Sequence, residues 1–161
     1  MKAAGSSSST DRLLLFEVGA TIYALPIAEI AEVTEVGRIA SVPSLRAAVA
    51  GVMNHHGDAL PVVHREALFE TGRAPLASPR NLLVLGSSPD DASHLGLPVD
   101  CVLGLVDGAA GTAGGADVVV ERRPIGGRLV SVLDPRRLMA RAVQVIEESV
   151  IGADAIQRGE A

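Results

Sequence analysis

The sequence predicts a mostly β protein, and three observations lead there. Its apolar residues fall in runs of four to seven, rich in Val, Ile and Leu and cut by Gly, Pro, Asn and Asp, which is the pattern of short strands and turns. No long helical patterning separates these runs, so barrels or a sandwich fit better than a parallel sheet. Two segments also repeat at nearly one spacing. Leu25-Pro26-Ile27-x-x-Ile30 returns 72 residues on as Leu97-Pro98-Val99-x-x-Val102, and Gly57-x-x-Leu60-x-Val62-Val63-His64 returns 70 residues on as Gly127-x-x-Val130-x-Val132-Leu133-Asp134. Two β units of about 70 residues follow, and because each would be marginal alone the two are expected to share a core.

About ten strands can be placed in order. Leu13 to Val18 and Thr21 to Leu25 flank Gly19-Ala20 at hairpin spacing. Ala31 to Val36, Val49 to Asn54 and Ala59 to Val63 complete the first unit. Leu82 to Leu85, Leu95 to Val99, Val102 to Val106, Val118 to Glu121 and Leu129 to Leu133 make up the second. Short helical turns are expected near Ser44 to Ala48, after Pro43, and near Arg65 to Phe69. One convincing helix follows the last strand, with Asp134 as N-cap, Pro135 at the first helical position and Leu138, Ala142, Val145 and Ile146 on one face. Residues 1–11 read as a disordered tail and 151–161 as a flexible one, because helical patterning fades at Gly152, leaving one domain over 12–150. Glycine-rich Gly108 to Gly115 reads as a flexible connection without the Lys-Ser/Thr of a phosphate loop.

Composition removes whole classes of function. The chain has 161 residues, 48% apolar and 20% charged, enough for a real core. Its net charge of −5 offers no positive field for phosphates, and Phe16, Tyr23 and Phe69 are too few to stack bases, so nucleic acid is not an expected partner. No apolar run approaches the roughly 18 residues that span a bilayer, and no signal-peptide core opens the chain, so a cytoplasmic protein without membrane insertion is expected. Cys101 is the sole cysteine, which permits no internal disulfide and no multi-cysteine zinc site.

Catalytic chemistry finds no address. His55, His56, His64 and Asp58 form the one cluster with metal-binding residue types, and a small metal-dependent β enzyme built on them is the alternative from another class. Strand alternation argues against it, since neighbours such as His55 and His56 would point to opposite faces. No metal, no cofactor and no enzymatic activity are therefore expected. Glu29, Glu32 and Glu35 read as the polar side of an amphipathic stretch, and Cys101 as a packed small residue with no nearby cation to lower its pKa.

A compact aliphatic β protein without a catalytic constellation acts through its surfaces. From Leu13 to about Ala142 the chain resembles the CheW-like family of chemotaxis coupling proteins. The resemblance rests on Phe16-Glu17-Val18-Gly19, Tyr23-Ala24-Leu25-Pro26-Ile27, Ile30-Ala31-Glu32-Val33 and Val42-Pro43-Ser44, then on the dense run Gly51 to Val63. Gly96-Leu97-Pro98-Val99-Asp100 and Leu129 to Asp134 complete it. It implies two intertwined, SH3-like, five-stranded β-barrels sharing a core, with short helices and a C-terminal helix. It also implies a non-enzymatic adaptor for bacterial chemotaxis or motility, bridging the helical cytoplasmic tip of a chemoreceptor to the regulatory domain of a CheA-type histidine kinase, in the cytoplasm and at receptor arrays.

Carried over by position, the receptor groove would include Ile30, Glu32, Gly51, His56, Gly57 and Cys101, with Ile30, Val33 and Val52 facing an aliphatic helix stripe and Glu32 as a rim charge. Three departures stand out. The family reads Asn-x-Arg-Gly where this chain has Asn54-His55-His56-Gly57, usually Asp where His64 stands, and often Gly at Cys101. Loss of the forked arginine donor makes a divergent adaptor engaging one of the two partners a further alternative. A structural array component that assembles with itself is the third reading.

Overall fold

In the computed structural model, residues 12–41, 49–69, 76–86, 94–108 and 118–159 are described, with side chains as far as 148. Eleven strands and two helices appear: β1 (Arg12–Val18), β2 (Thr21–Pro26), β3 (Ile30–Glu35), β4 (Ile39–Ala40), β5 (Val49–His55), β6 (Asp58–Val63), α1 (Arg65–Leu68), β7 (Asn81–Leu85), β8 (Leu95–Val99), β9 (Cys101–Asp107), β10 (Val119–Ile125), β11 (Arg128–Leu133) and α2 (Pro135–Gly159). All ten expected strands form. The additional one, β4, is two residues long, too short to carry a period-2 pattern. β10 runs four residues beyond its expected end at Glu121, taking in Pro124; it is the edge strand of its sheet, where a missing N–H costs no ladder bond. The expected turn at Ser44 to Ala48, the resemblance motif Val42-Pro43-Ser44, the tail 1–11 and all but the first residue of Gly108 to Gly115 lie outside the described residues.

Two sheets form, in the orders β10-β11-β2-β1-β9 and β3-β7-β8-β6-β5-β4. Apart from β4 they are the same sheet twice. β5 and β6 occupy the places of β10 and β11, β8 that of β2, β7 that of β1, and β3 that of β9. The parallel contact in each follows suit: β11 lies parallel to β2 in one sheet and β6 parallel to β8 in the other, with all remaining pairs antiparallel. The repeat in the sequence is thus a structural repeat, and its halves exchange strands. After β2 the chain leaves the first sheet through a 3-10 turn at Ile27–Glu29 and builds β3 to β8 in the second; at Asp100 it returns to lay β9 beside β1. Backbone bonds pin both crossings, Gly86 N–H to the Glu29 carbonyl at 3.0 Å and Asp100 N–H to the Glu17 carbonyl at 2.9 Å.

Burial joins the two halves. Leu13, Ile22, Ala24, Val130 and Val132 cluster within the curl of the first sheet, and Met53, Leu60, Val62, Leu82 and Val84 within that of the second. The opposite faces meet in one larger core that joins Phe16 and Leu25 of the first sheet to Leu83, Leu97 and Val99 of the second. β2 and β8 are therefore buried on both faces, which is why they read as unbroken apolar runs. All three aromatic residues of the chain sit together there, with ring centroids 5.9 Å apart for Phe16 and Tyr23, 6.4 Å for Phe16 and Phe69, and 4.5 Å for Tyr23 and Phe69. No backbone ladder closes either sheet into a barrel among the described residues.

Helix α2 starts as its sequence dictates. Asp134 Oδ1 accepts the Arg136 N–H at 2.9 Å, and Leu138 and Ala142 are fully buried in the shared core. The helix runs on to Gly159, through most of the segment read as a flexible tail. A single Gly152 among Ala, Ile, Gln and Arg costs about 1 kcal/mol and does not stop a helix already more than four turns long. The counterpart cap is weaker. His64, standing where the second repeat has Asp134, makes no capping bond, and α1 is four residues long.

Gly51 is a packing requirement. With φ of 141°, it bulges β5 so closely against β4 that a Cβ would lie 2.2 Å from the Ala40 carbonyl oxygen. Gly51→Ala is expected to detach β4 and lower stability by about 1–3 kcal/mol, read by urea unfolding; an unchanged midpoint would show that the bulge is not needed.

Candidate functional site

The second sheet curls until its edge strand β3 faces the β5–β6 hairpin. Glu32, on β3 at one edge, reaches His55 and His56 at the far end of β5: its Oε2 lies 2.5 Å from His55 Nε2 and 2.9 Å from His56 Nε2. The imidazoles stand edge to face with centroids 4.2 Å apart. Strand alternation fails here because His56 is not in a strand. It occupies the first central position of the β5–β6 hairpin with φ of 52°, ahead of Gly57 at 88°, and is the one residue other than glycine with positive φ among those described. Both values are those of a type I′ turn. The equivalent turn of the second repeat is Gly126-Gly127, at 57° and 78°. The turn is braced by Asn54, whose Oδ1 accepts the Gly57 N–H at 2.9 Å.

This corrects the expectation that His55 and His56 diverge. It also corrects the grouping: His64 is exposed at the head of α1 and Asp58 is exposed at the start of β6, while the third member of the cluster is Glu32, distant in sequence and invisible to a local pattern. The hydrogen bonds from His56 and then His55 hold the Glu32 carboxyl below its ordinary value of 4.5, so it is ionised at neutral pH.

The residues assigned to a receptor groove divide into three groups. Glu32, His56 and Gly57 meet at the mouth of the second sheet, with Val33 exposed beside them on β3. Gly51 is buried under β4, and Val52, half-buried, pairs with Ala40 on the same flank. Ile30 is buried in the shared core, and Cys101 opens β9 in the other sheet opposite Glu17. Apolar residues that the reading did not include lie exposed on β9, Leu103 and Leu105, the counterparts in the first sheet of the β3 edge.

A cleft of about 910 Å³ lies against the first sheet, and none of those eight positions lines it. Tyr23, Phe69 and Leu129 contribute apolar wall, and Arg122, Arg128 and Arg141 surround it with positive charge. Arg122, Arg128 and Arg141 are 6 and 13 residues apart in sequence, and no local pattern marked them as a group.

Between the two faces sits a buried ion pair. Arg65 Nε lies 3.2 Å from Asp100 Oδ1, with side chains 5% and 16% exposed. The two atoms are aligned for Coulomb attraction rather than for a hydrogen bond. Asp100 Oδ2 also accepts the Gly19 N–H at 2.9 Å, and Arg65 donates to the Ala77 carbonyl. One carboxylate thereby ties the β1–β2 turn of the first sheet to the helix that follows β6 of the second.

Comparison with known proteins agrees with this architecture. A family model described as CheW-like domain matches residues 12–143. Among solved structures, the scaffolding protein TtCheW from Thermoanaerobacter tengcongensis is similar in fold, with a TM-score of 0.64 at 16% identity, over 78% of this chain and 89% of that one. No curated protein matches the chain.

Proposed function

The chain belongs to the CheW-like family, with a role in chemotaxis coupling, and from that premise we propose that it is a non-enzymatic cytoplasmic adaptor joining a chemoreceptor tip to the regulatory domain of a CheA-type histidine kinase. The observation that carries the reading is the reach of the family match, which takes in both sheets and both strand crossings. Two separated faces support it: an adaptor must hold two partners at once, and here an edge with Glu32 and Val33 lies on one sheet and an arginine-rimmed cleft on the other. No helix among the described residues is long and apolar enough to cross a membrane.

The test is retention of each partner separately. Immobilised chain should capture a receptor cytoplasmic hairpin and a kinase regulatory domain at micromolar concentration, and failure to retain either would end the proposal. Capture of one alone would select the divergent, single-partner reading. Val33→Glu places a charge on an edge that is 39% exposed, so it should leave the fold within about 0.5 kcal/mol of the parent. It should weaken receptor retention about tenfold or more, as burying an unpaired charge in an apolar interface requires. Unchanged retention would remove β3 from the contact.

A further inference from the structure

We propose that Glu32, His55 and His56 form a binding site for a divalent late first-row transition metal ion, with Zn2+ as its representative. Three observations carry this. The donor set is two imidazole nitrogens and one carboxylate oxygen, the combination that binds zinc through three protein ligands and leaves a position for water. The donor atoms come from the edge strand β3 and from the β5–β6 hairpin, four strands away across the sheet, yet all lie within 4.8 Å of one another. Tetrahedral coordination at bond lengths near 2.1 Å needs donors about 3.4 Å apart. His56 and Glu32 have side chains 72% and 36% exposed and can adjust by that amount, while the 17% exposed His55 supplies the fixed ligand.

The third observation is independent of the donors. A type I′ turn takes glycine or asparagine at its first central position, and the second repeat obeys with Gly126. At the same place the first repeat holds a histidine at positive φ, a conformation that disfavours it, and turns its imidazole onto Glu32. Strained side chains of this kind persist where the group they place has a task.

A carboxylate only accepts, so in the metal-free protein both Nε2 atoms carry the proton they share with Glu32 Oε2. Coordination moves that proton to Nδ1 in each ring, a tautomer change without change in ring charge, and the ion replaces the two hydrogen bonds. The ion would bridge β3 to the β5–β6 turn and close the curl of the second sheet. This site is independent of the adaptor reading, and its test needs no partner.

Calorimetric titration of the full chain with Zn2+ should show one equivalent bound at micromolar or tighter dissociation constant, and Co2+ should give the visible absorption of a four-coordinate site. His56→Gly restores the residue type of the second repeat, so it should melt no lower than the parent while losing affinity by about 100-fold or more, beyond what loss of an outer hydrogen-bond partner produces. Glu32→Gln and His55→Asn should likewise lose affinity, and replacing the other two of the chain's four histidines, His64→Asn with His94→Asn just before β8, should leave binding unchanged. Absence of stoichiometric binding at 100 times the protein concentration, or binding that survives His56→Gly and disappears with the other two histidines, would overturn the proposal.

Discussion

Asp100→Asn is expected to lower the free energy of unfolding by about 3–5 kcal/mol, because it strands the Arg65 guanidinium, 5% exposed, without a countercharge. The amide can still accept the Gly19 N–H through its oxygen, so the loss isolates the charge. Asp100→Ala should cost somewhat more, since the Gly19 N–H then loses its acceptor too. A double replacement, Arg65→Met with Asp100→Leu, should recover most of the deficit, as apolar pairs of similar volume do in place of buried ion pairs. Urea unfolding of the parent, Arg65→Met, Asp100→Leu and the double variant reads the coupling directly, without a denaturant that screens charge; single and double variants that lose stability additively would show that the two groups do not interact.

Phe16→Ala is expected to cost about 3–5 kcal/mol, and with it about 10 °C of melting temperature for a domain of this size. Phe16 is fully buried and touches both other aromatic rings, so truncation leaves a void where the two sheets meet that neither can collapse to fill alone. Because each sheet borrows strands from the other half of the chain, the loss should appear as one cooperative transition. Two separated melts after this substitution would mean that the sheets are independent. Leu129→Ala, 62% exposed, should remain within about 0.5 kcal/mol of the parent.

Much of the fold was legible because its signals are local. Runs of β-branched residues placed ten strands, and Asp134-Pro135 placed the start of α2. The repeat predicted two units sharing a core, and the pairings bear that out. Strand exchange left no such mark: nothing in β3 or β9 says which sheet it will join, since β9 carries apolar residues on both faces and β3 mixes apolar and polar residues on each. β4 is too short to show a pattern, and α2 outran its expected end because one glycine is a weak stop.

The site was legible in part. Glu32 and His56 were both singled out, by residue type and again through the family resemblance, but never as partners of each other. Their convergence depends on a positive φ at a histidine, which the residue itself does not announce, and on the curl of a six-stranded sheet, which no sequence window spans. Ile30 and Gly51 illustrate the converse: both are important to the fold at positions read as surface, one filling the core and the other admitting the Ala40 carbonyl. The arginine-rimmed cleft was missed because Arg122, Arg128 and Arg141 come together only when β10, β11 and α2 pack.

The central claim is that this chain is a bridge, and sedimentation velocity of a three-component mixture tests it most directly. With receptor hairpin and kinase regulatory domain at micromolar concentration, the account predicts a species containing all three that is absent when the chain is left out. Mutually exclusive complexes, or two partners that ignore the chain altogether, would contradict it.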